Sequence, residues 1–197
     1  MSLSPTARER KAAQTCANLS EAAITLFREH GVERVTIDDI CARCGVTKGA
    51  FYHHFPSKDH IITYAVNHEM DRYIEERFHP LTDRSVCKQL LTLQMLSFSY
   101  FRRLGKSMTR YSYEGQIRSL IELKRPERTY VSCLSQIVLQ GVEKKQFRTR
   151  LDFENCYMMN IILYTGFLFK WASVPQEQDS LYQWDQILEE LITSLFV

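Results

Sequence analysis

Apolar residues recur along the chain at spacings of three and four, which is the period of an amphipathic helix. Glycine and proline, which interrupt helices, number only 7 and 5 among 197 residues. The pattern therefore predicts an all-α protein of about nine helices. The first predicted helix spans residues 6–30 and is followed by Gly31, a residue suited to a helix C-terminus. Its apolar face carries Leu19, Ala23 and Phe27.

Two short helices are predicted next, and the residues at their ends mark them. Thr36 precedes the second helix, and its hydroxyl can accept a hydrogen bond from the backbone N–H of Asp39. Gly45 ends that helix with a conformation that other residues adopt only with strain. Thr47 then opens a third helix over residues 48–54. Two short helices joined by a glycine turn have the sequence layout of a helix-turn-helix.

The fourth predicted helix follows Ser57 and extends to about residue 78, and the pattern becomes richer in apolar residues beyond it. We place the domain boundary inside this helix, which gives a helix-turn-helix domain at 1–60 and a larger all-helical domain at 61–197. The remaining predicted helices are 83–103, 107–123, 126–145, 152–172 and 180–196.

Charge and composition narrow the class of protein only slightly. The net charge is +2, so composition alone predicts no polyanionic partner, and any basic surface must be local. The longest apolar region, 157–172, is interrupted by Asn160 and Lys170, so no membrane-spanning segment is predicted. The N-terminal residues have no apolar stretch of the kind that signals export, which favours a cytoplasmic protein.

Two features of the sequence could indicate a metal or redox site. His53 and His54 are adjacent, but neighbouring helical residues point about 100° apart, which suits shared chelation poorly. We expect His54 to turn inward and His53 outward. Cys41 and Cys44 are close in sequence, but a zinc site would need a second cysteine pair, which the six cysteines do not supply. We therefore expect no metal and no cofactor.

The stretches AAITLFREHG and TIDDICARCGVTKGAFYHHFPSKD together resemble the N-terminal domain of the TetR (tetracycline repressor) family of bacterial transcription regulators. The resemblance covers about residues 10–64. The departures are mild: Thr47 stands where the family usually has serine, Asp59 replaces glutamate, and Cys41 and Cys44 replace alanine. The matching residues are Ala22, Ala23, Leu26, Phe27, Gly31, Thr36, Ile40, Gly45, Val46, Lys48, Gly49, Tyr52, His54, Phe55, Ser57 and Lys58.

The resemblance implies that the third helix lies in the major groove of DNA, where its first residues reach base edges. Lys48 and Lys58 could instead be ordinary solvated lysines, and Tyr52 could be a core aromatic. Phe51 and Phe55 are expected to hold the unit to its core. The expected DNA-binding residues are Thr36, Thr47, Lys48, Gly49, Ala50, Tyr52, His53 and Lys58.

For the larger domain the resemblance implies a small-molecule site and a dimer interface, without locating either by a motif. Helical spacing selects the individual candidates, the resemblance implies that the last two helices form the dimer interface, and both groups could instead be core residues of one chain. The ligand-binding candidates are Met95, Phe98, Phe101, Met108, Tyr111, Tyr157, Asn160 and Tyr164. The dimerisation candidates, on 152–172 and 180–196, are Leu168, Trp171, Trp184, Leu188, Leu191 and Leu195.

These expectations combine into a homodimeric repressor that a small apolar or aromatic ligand releases from a palindromic operator in double-stranded DNA. The alternative is a DNA-binding regulator whose larger domain binds a protein partner. A third class, an all-α enzyme, would require a nucleophile–base pair, a paired carboxylate site or metal-ligand spacing, and none is recognisable in the sequence. We therefore expect no enzymatic activity.

Overall fold

The computed structural model describes residues 6–79, 85–119, 128–148 and 150–196. Within these ranges the chain forms nine α-helices, one 3-10 helix and no strand. The all-α prediction is confirmed. The α-helices are α1 (Ala7–His30), α2 (Ile37–Cys44), α3 (Lys48–His54), α4 (Lys58–Arg77), α5 (Val86–Leu104), α6 (Lys106–Ser119), α7 (Thr129–Glu143), α8 (Phe153–Ser173) and α9 (Trp184–Thr193).

Most of the predicted helices agree with these bounds to within a few residues. Parts of three predictions, residues 83–84, 120–123 and 126–127, lie outside the described residues. In the described ranges, no helix combines the length and apolar character that a membrane span requires.

The contacts of the chain divide it into two compact units. The first unit comprises Met1–Asn67 and Tyr111–Ile121, and the second comprises His68–Arg110 and Glu122–Val197. Both α4 and α6 contribute residues to each unit. The second half of α6 therefore belongs with the N-terminal helices, an assignment that the sequence did not suggest.

The first unit is built around large apolar side chains from α1, α2, α3 and α4. Leu19 and Phe27 of α1, Ile40 of α2, Phe51 of α3 and Ile61 of α4 are all buried. Burying a side chain of this size contributes about 1.5–3 kcal/mol relative to leaving it in water. The predicted core position of Phe51 is confirmed, and α3 is held in place by its inner face.

The second unit packs α5 against α7 and α9, while α8 packs against α7 and α9. Phe98 of α5 lies edge-on against Phe167 and Trp171 of α8, with ring centroids 4.8 and 5.3 Å apart. Leu134 of α7 and Leu168 of α8 are fully buried in the same unit. Aromatic contacts of this geometry add to the stabilisation that burial alone provides.

The last predicted helix, 180–196, is shorter at both ends in the structure. A 3-10 helix spans Gln176–Leu181, and α9 begins only at Trp184. The carboxylate of Asp179 accepts hydrogen bonds from Trp184 Nε1 at 2.8 Å and from Lys106 Nζ at 2.7 Å. These bonds hold the 3-10 helix as an element separate from α9. After Thr193 the chain leaves the helix, and the carbonyl of Leu195 accepts from the backbone N–H of Arg148.

Candidate nucleic-acid interface

The start of α2 is fixed by a reciprocal pair of hydrogen bonds between Thr36 and Asp39. The hydroxyl of Thr36 accepts from the backbone N–H of Asp39 at 3.2 Å, and the Asp39 carboxylate accepts from the backbone N–H of Thr36 at 2.8 Å. These bonds satisfy two N–H groups that a helix start leaves unpaired. The hydrogen bonds that Thr36 donates to the Asp39 carboxylate lower the pKa of Asp39. The bond from the backbone N–H has the larger effect, and the bond from the hydroxyl comes next.

The turn between α2 and α3 depends on Gly45, which has a φ of 64° in the left-handed region. Its N–H bonds to the carbonyl of Ala42, and the N–H of Val46 bonds to the carbonyl of Cys41. Only glycine adopts this conformation without strain, so the chain can reverse here within two residues. Thr47 then caps α3, its hydroxyl accepting from the backbone N–H of Ala50 at 3.2 Å.

The first turns of α3 leave a row of side chains open to solvent. Thr47, Lys48 and Gly49 are exposed, Ala50 is half-buried, and Tyr52 is exposed over half of its surface. On the opposite side of α3, Phe51 is fully buried. The helix therefore presents one anchored face and one free face, which suits a helix that inserts into a groove. Of the other expected DNA-binding residues, Thr36 and His53 are also exposed.

Lys48 has a carboxylate partner that the sequence analysis missed. Its Nζ lies 2.9 Å from Oδ1 of Asp38 in α2, and both side chains are exposed. The hydrogen bond with Asp38 raises the pKa of Lys48. An anion that binds Lys48 must compete with this carboxylate.

The two adjacent histidines have different surroundings, as the sequence predicted. His53 is exposed, whereas His54 is half-buried with its Nδ1 3.3 Å from Sγ of Cys16 in α1. Burial raises the pKa of the Cys16 thiol, which disfavours a reactive thiolate. His54 therefore connects the end of α3 to α1.

Cys41 is buried and Cys44 is half-buried, and both are free thiols. Burial is the main cause that raises the pKa of each. Among the residues that the structure describes, no three histidine, cysteine or carboxylate side chains are grouped closely enough to hold a metal ion. The Cys44 thiol donates to the backbone carbonyl of Asn18 in α1 at 3.5 Å.

Lys58 does not face outward, which corrects the sequence-based expectation for its side chain. It is half-buried, and its Nζ donates a hydrogen bond to the backbone carbonyl of Val32. The same atom lies 5.9 Å from the ring centroids of both Phe27 and Tyr111. Burial lowers the pKa of Lys58. A carbonyl and two aromatic faces solvate the ammonium here in place of water.

Two further residues of the first unit, Arg118 and Gly115, escaped the sequence analysis. Arg118, near the end of α6, donates two hydrogen bonds to the carboxylate of Asp59. Gly115 lies one turn earlier, where a β-carbon would come within 3.2 Å of the β-carbon of Asp59. Tyr111, proposed as a ligand residue, belongs to this unit as well. No local pattern could reveal these contacts, because they join segments more than fifty residues apart.

The other seven ligand candidates all lie in the second unit. Met95 is half-buried and the remaining six are buried. Tyr157 lines a cavity of about 330 Å³ together with residues of α7, including Ser135. Gln94, absent from the candidates, accepts a hydrogen bond from the hydroxyl of Tyr130 at 2.9 Å, and the Tyr164 hydroxyl donates to its backbone carbonyl.

The dimerisation candidates require a correction, because five of the six are buried within the chain itself. Leu191 is half-buried. The exposed apolar side chains of α8 lie on its other flank: Met158, Ile162 at 63% exposure and Phe169 at 58%. Since α8 is apolar on both flanks, helical spacing could not show which flank faces the core. The five buried candidates are Leu168, Trp171, Trp184, Leu188 and Leu195.

The geometry of α2, the turn and α3 defines a helix-turn-helix, the DNA-binding element of many transcription regulators. A family model described as bacterial regulatory proteins, tetR family, matches residues 19–65, which contain this element. The transcriptional repressor KstR2 of Mycobacterium tuberculosis is 26% identical to the chain over 149 residues, covering 71% of the chain and 72% of that protein.

Two further comparisons extend over nearly the whole length. The transcriptional repressor BepR of Brucella suis is 24% identical over 197 residues, covering 94% of the chain and 93% of that protein. The crystal structure of a TetR-family transcriptional regulator from Pectobacterium atrosepticum shares the fold, with a TM-score of 0.66 at 18% identity and 98% coverage of both chains. These matches support membership of the TetR family of bacterial transcription regulators.

Proposed function

We propose that this regulator is a homodimeric repressor that binds a palindromic operator through α3 and leaves it when a small molecule binds the second unit. The observation that carries the proposal is the exposed first turn of α3, held in place by the buried Phe51 and introduced by the Gly45 turn. The relatives KstR2 and BepR are both named as repressors, which supports the direction of regulation.

In this proposal Thr47, Lys48 and Ala50 contact base edges, and Gly49 permits close approach of the helix to the groove. Tyr52 and His53 donate to phosphates, and Thr36, whose hydroxyl and backbone N–H both donate to the Asp39 carboxylate, must release one of these bonds to do the same. Lys48 must then exchange the carboxylate of Asp38 for DNA. Because an exposed ion pair contributes only about 0–1 kcal/mol, Asp38 can be displaced at little cost.

The dimer in this proposal forms through the exposed flank of α8 and the outer face of α9. Met158, Ile162 and Phe169 follow one another at helical spacing, and Gly166 between them has open space beside it. Leu181, Tyr182 and Ile187 add exposed apolar surface before and within α9. A two-fold dimer would present two copies of α3 to the two half-sites of a palindrome.

The ligand site in this proposal lies within the second unit, around Gln94 and Asn160. Both side chains are fully buried, yet Nε2 of Gln94 and Oδ1 of Asn160 have no hydrogen-bond partner among the described residues. An unpaired buried polar atom costs about 1–3 kcal/mol, which a ligand with complementary groups would recover. Tyr164, one helical turn after Asn160, places a hydroxyl in the same region.

Fluorescence anisotropy with operator DNA tests the DNA-binding part of this proposal. Lys48→Ala should weaken binding by about tenfold, since a good base contact contributes about 1–3 kcal/mol. Lys88→Ala is the matched control, because it removes the same charge from an exposed position in the second unit. Equal losses in both variants would show that binding depends on net charge and not on α3.

A thermal-shift screen of small molecules against the full-length protein tests the ligand site. Compounds that raise the unfolding temperature should also release the operator, because binding at one site opposes binding at the other. Asn160→Leu should abolish the shift. Compounds that stabilise the protein without changing DNA affinity would favour a second unit that responds to a protein partner.

A further inference from the structure

A basic cluster at the end of α7 and in the segment before α8 has no part in the proposed DNA-binding function. Lys145, Arg148 and Arg150 line a cavity of about 670 Å³, and all three are exposed. The other lining residues are Gly141, Val142, Phe147 and Leu151, so the lining contains no carboxylate. The ion pairs of the described ranges join none of the three cations to an acidic side chain.

The segment that carries these cations is fixed to its surroundings on several sides. The backbone N–H of Arg148 donates to the carbonyl of Leu195 at 2.8 Å, and its Nε donates to the carbonyl of Phe196 at 2.5 Å. The side-chain carbonyl of Gln146 accepts from the backbone N–H of Val86. Arg148 and Gln146 are therefore held in position before any ligand binds, which lowers the ordering cost of binding at Arg148.

Lys145 occupies a backbone position that favours glycine. Its φ is 52°, and it is the sole non-glycine residue with positive φ in the described part of the chain. At the end of α7, the backbone N–H groups of Lys145 and Gln146 bond to the carbonyls of Val142 and Gly141. These carbonyls are therefore paired without help from the lysine side chain. A non-glycine residue here costs free energy, and such strain is concentrated at functional positions.

We propose that this cavity binds the phosphate group of a soluble phosphate ester. Guanidinium groups match phosphate oxygens in a planar, two-pronged geometry, and Lys145 adds a point charge. Leu151, which is 43% exposed, offers apolar surface to the organic part of the ligand. A phospholipid headgroup carries the same chemistry, and the experiment separates it from a soluble ester.

Isothermal titration calorimetry of the full-length protein with pyrophosphate and with adenosine diphosphate tests the site, in about 150 mM salt so that diffuse attraction is screened. Lys145→Gly and Arg150→Gln should each lower affinity by about tenfold, since each removes a charged hydrogen-bond donor. Lys144→Ala is the matched control, because Lys144 is exposed and adjacent but does not line the cavity. It should bind both probes as the wild type does.

Lys145→Gly should unfold at a temperature no lower than the wild type, since glycine adopts this φ without strain. Arg150→Gln tests the site without changing a strained residue. The proposal is overturned if neither probe binds the wild type, or if Lys144→Ala loses as much affinity as Lys145→Gly. Binding to anionic phospholipid vesicles without binding to either soluble probe would overturn it as well.

Discussion

The guanidinium of Arg118 donates two hydrogen bonds to the carboxylate of Asp59, at 3.0 and 3.3 Å, although 59 residues separate them in the chain. The pair joins the end of α6 to the first turn of α4, next to the helix-turn-helix. Asp59 is one of the positions where the sequence departs from the family pattern, carrying aspartate in place of glutamate. The shorter side chain lies directly beside Gly115.

Arg118→Gln should reduce the free energy of unfolding by about 0.2–1 kcal/mol, because Arg118 is half-exposed and water screens the pair. Hydrogen exchange of the α4 amides over residues 58–67 should speed up at the same time. Arg110→Gln, at an exposed position earlier in α6, is the control and should leave both unchanged. Equal exchange rates in the Arg118 variant and the wild type would contradict a role for the pair in holding α4.

Lys58→Met should lower the free energy of unfolding by about 1–3 kcal/mol, because it leaves the Val32 carbonyl without its charged donor. We expect the salt dependence of DNA binding to stay the same. A residue that neutralises a phosphate would instead lower the slope of log affinity against log salt by about one. Measuring both quantities decides between these roles, and a reduced slope would contradict the inward placement.

Asp39→Asn should make stability less sensitive to acid. The pKa of Asp39 in the folded chain is lowered from its usual 3.8 by the hydrogen bonds from Thr36. A lowered pKa contributes stability above the unfolded value, and that contribution is lost as pH falls through the folded value. The difference in unfolding free energy between wild type and variant should therefore shrink as pH falls below 3.8. A difference that does not change with pH would rule out the linkage.

Phe169→Glu should dissociate the proposed dimer without unfolding the chain, because Phe169 is 58% exposed in one chain and the proposed interface would cover it. Burying an unpaired carboxylate costs several kcal/mol, so the dissociation constant should rise by about a hundredfold or more. Its neighbour Leu168 is the control. Leu168→Ala should cost about 2–5 kcal/mol of stability, as a buried leucine does.

For Phe169→Glu and Leu168→Ala, sedimentation equilibrium measures association and thermal unfolding measures stability. The account of the dimer fails if Phe169→Glu remains as associated as the wild type. It fails equally if the wild-type protein is a monomer at every concentration tested.

The features that the sequence predicted well are those decided within a few residues. Thr36, Gly45 and Thr47 each act on a backbone group at most four positions away, so their cap and turn roles follow from residue type and spacing. The burial of Phe51 and the different surroundings of His53 and His54 follow from the same helical geometry. These local signals were sufficient to locate α2 and α3.

The errors arose where the outcome depends on distant segments. The apolar residues of α8 occupy both flanks, so only its packing against α7 and α9 decides that Leu168 faces the core and Phe169 faces solvent. Lys58 turns inward because Val32, Phe27 and Tyr111 surround it, and Tyr111 is contributed by α6. Spacing along the chain contains no information about such partners.

Operator recognition by α3 is tested by selecting DNA fragments from a random library with the purified full-length protein and sequencing them. We expect an inverted repeat whose half-site centres lie about 10–10.5 base pairs apart, or a multiple of that spacing. We also expect that a Thr47 or Ala50 substitution changes the selected bases within the half-sites. Enrichment of no sequence, or of a sequence unaffected by these substitutions, would contradict operator recognition by α3.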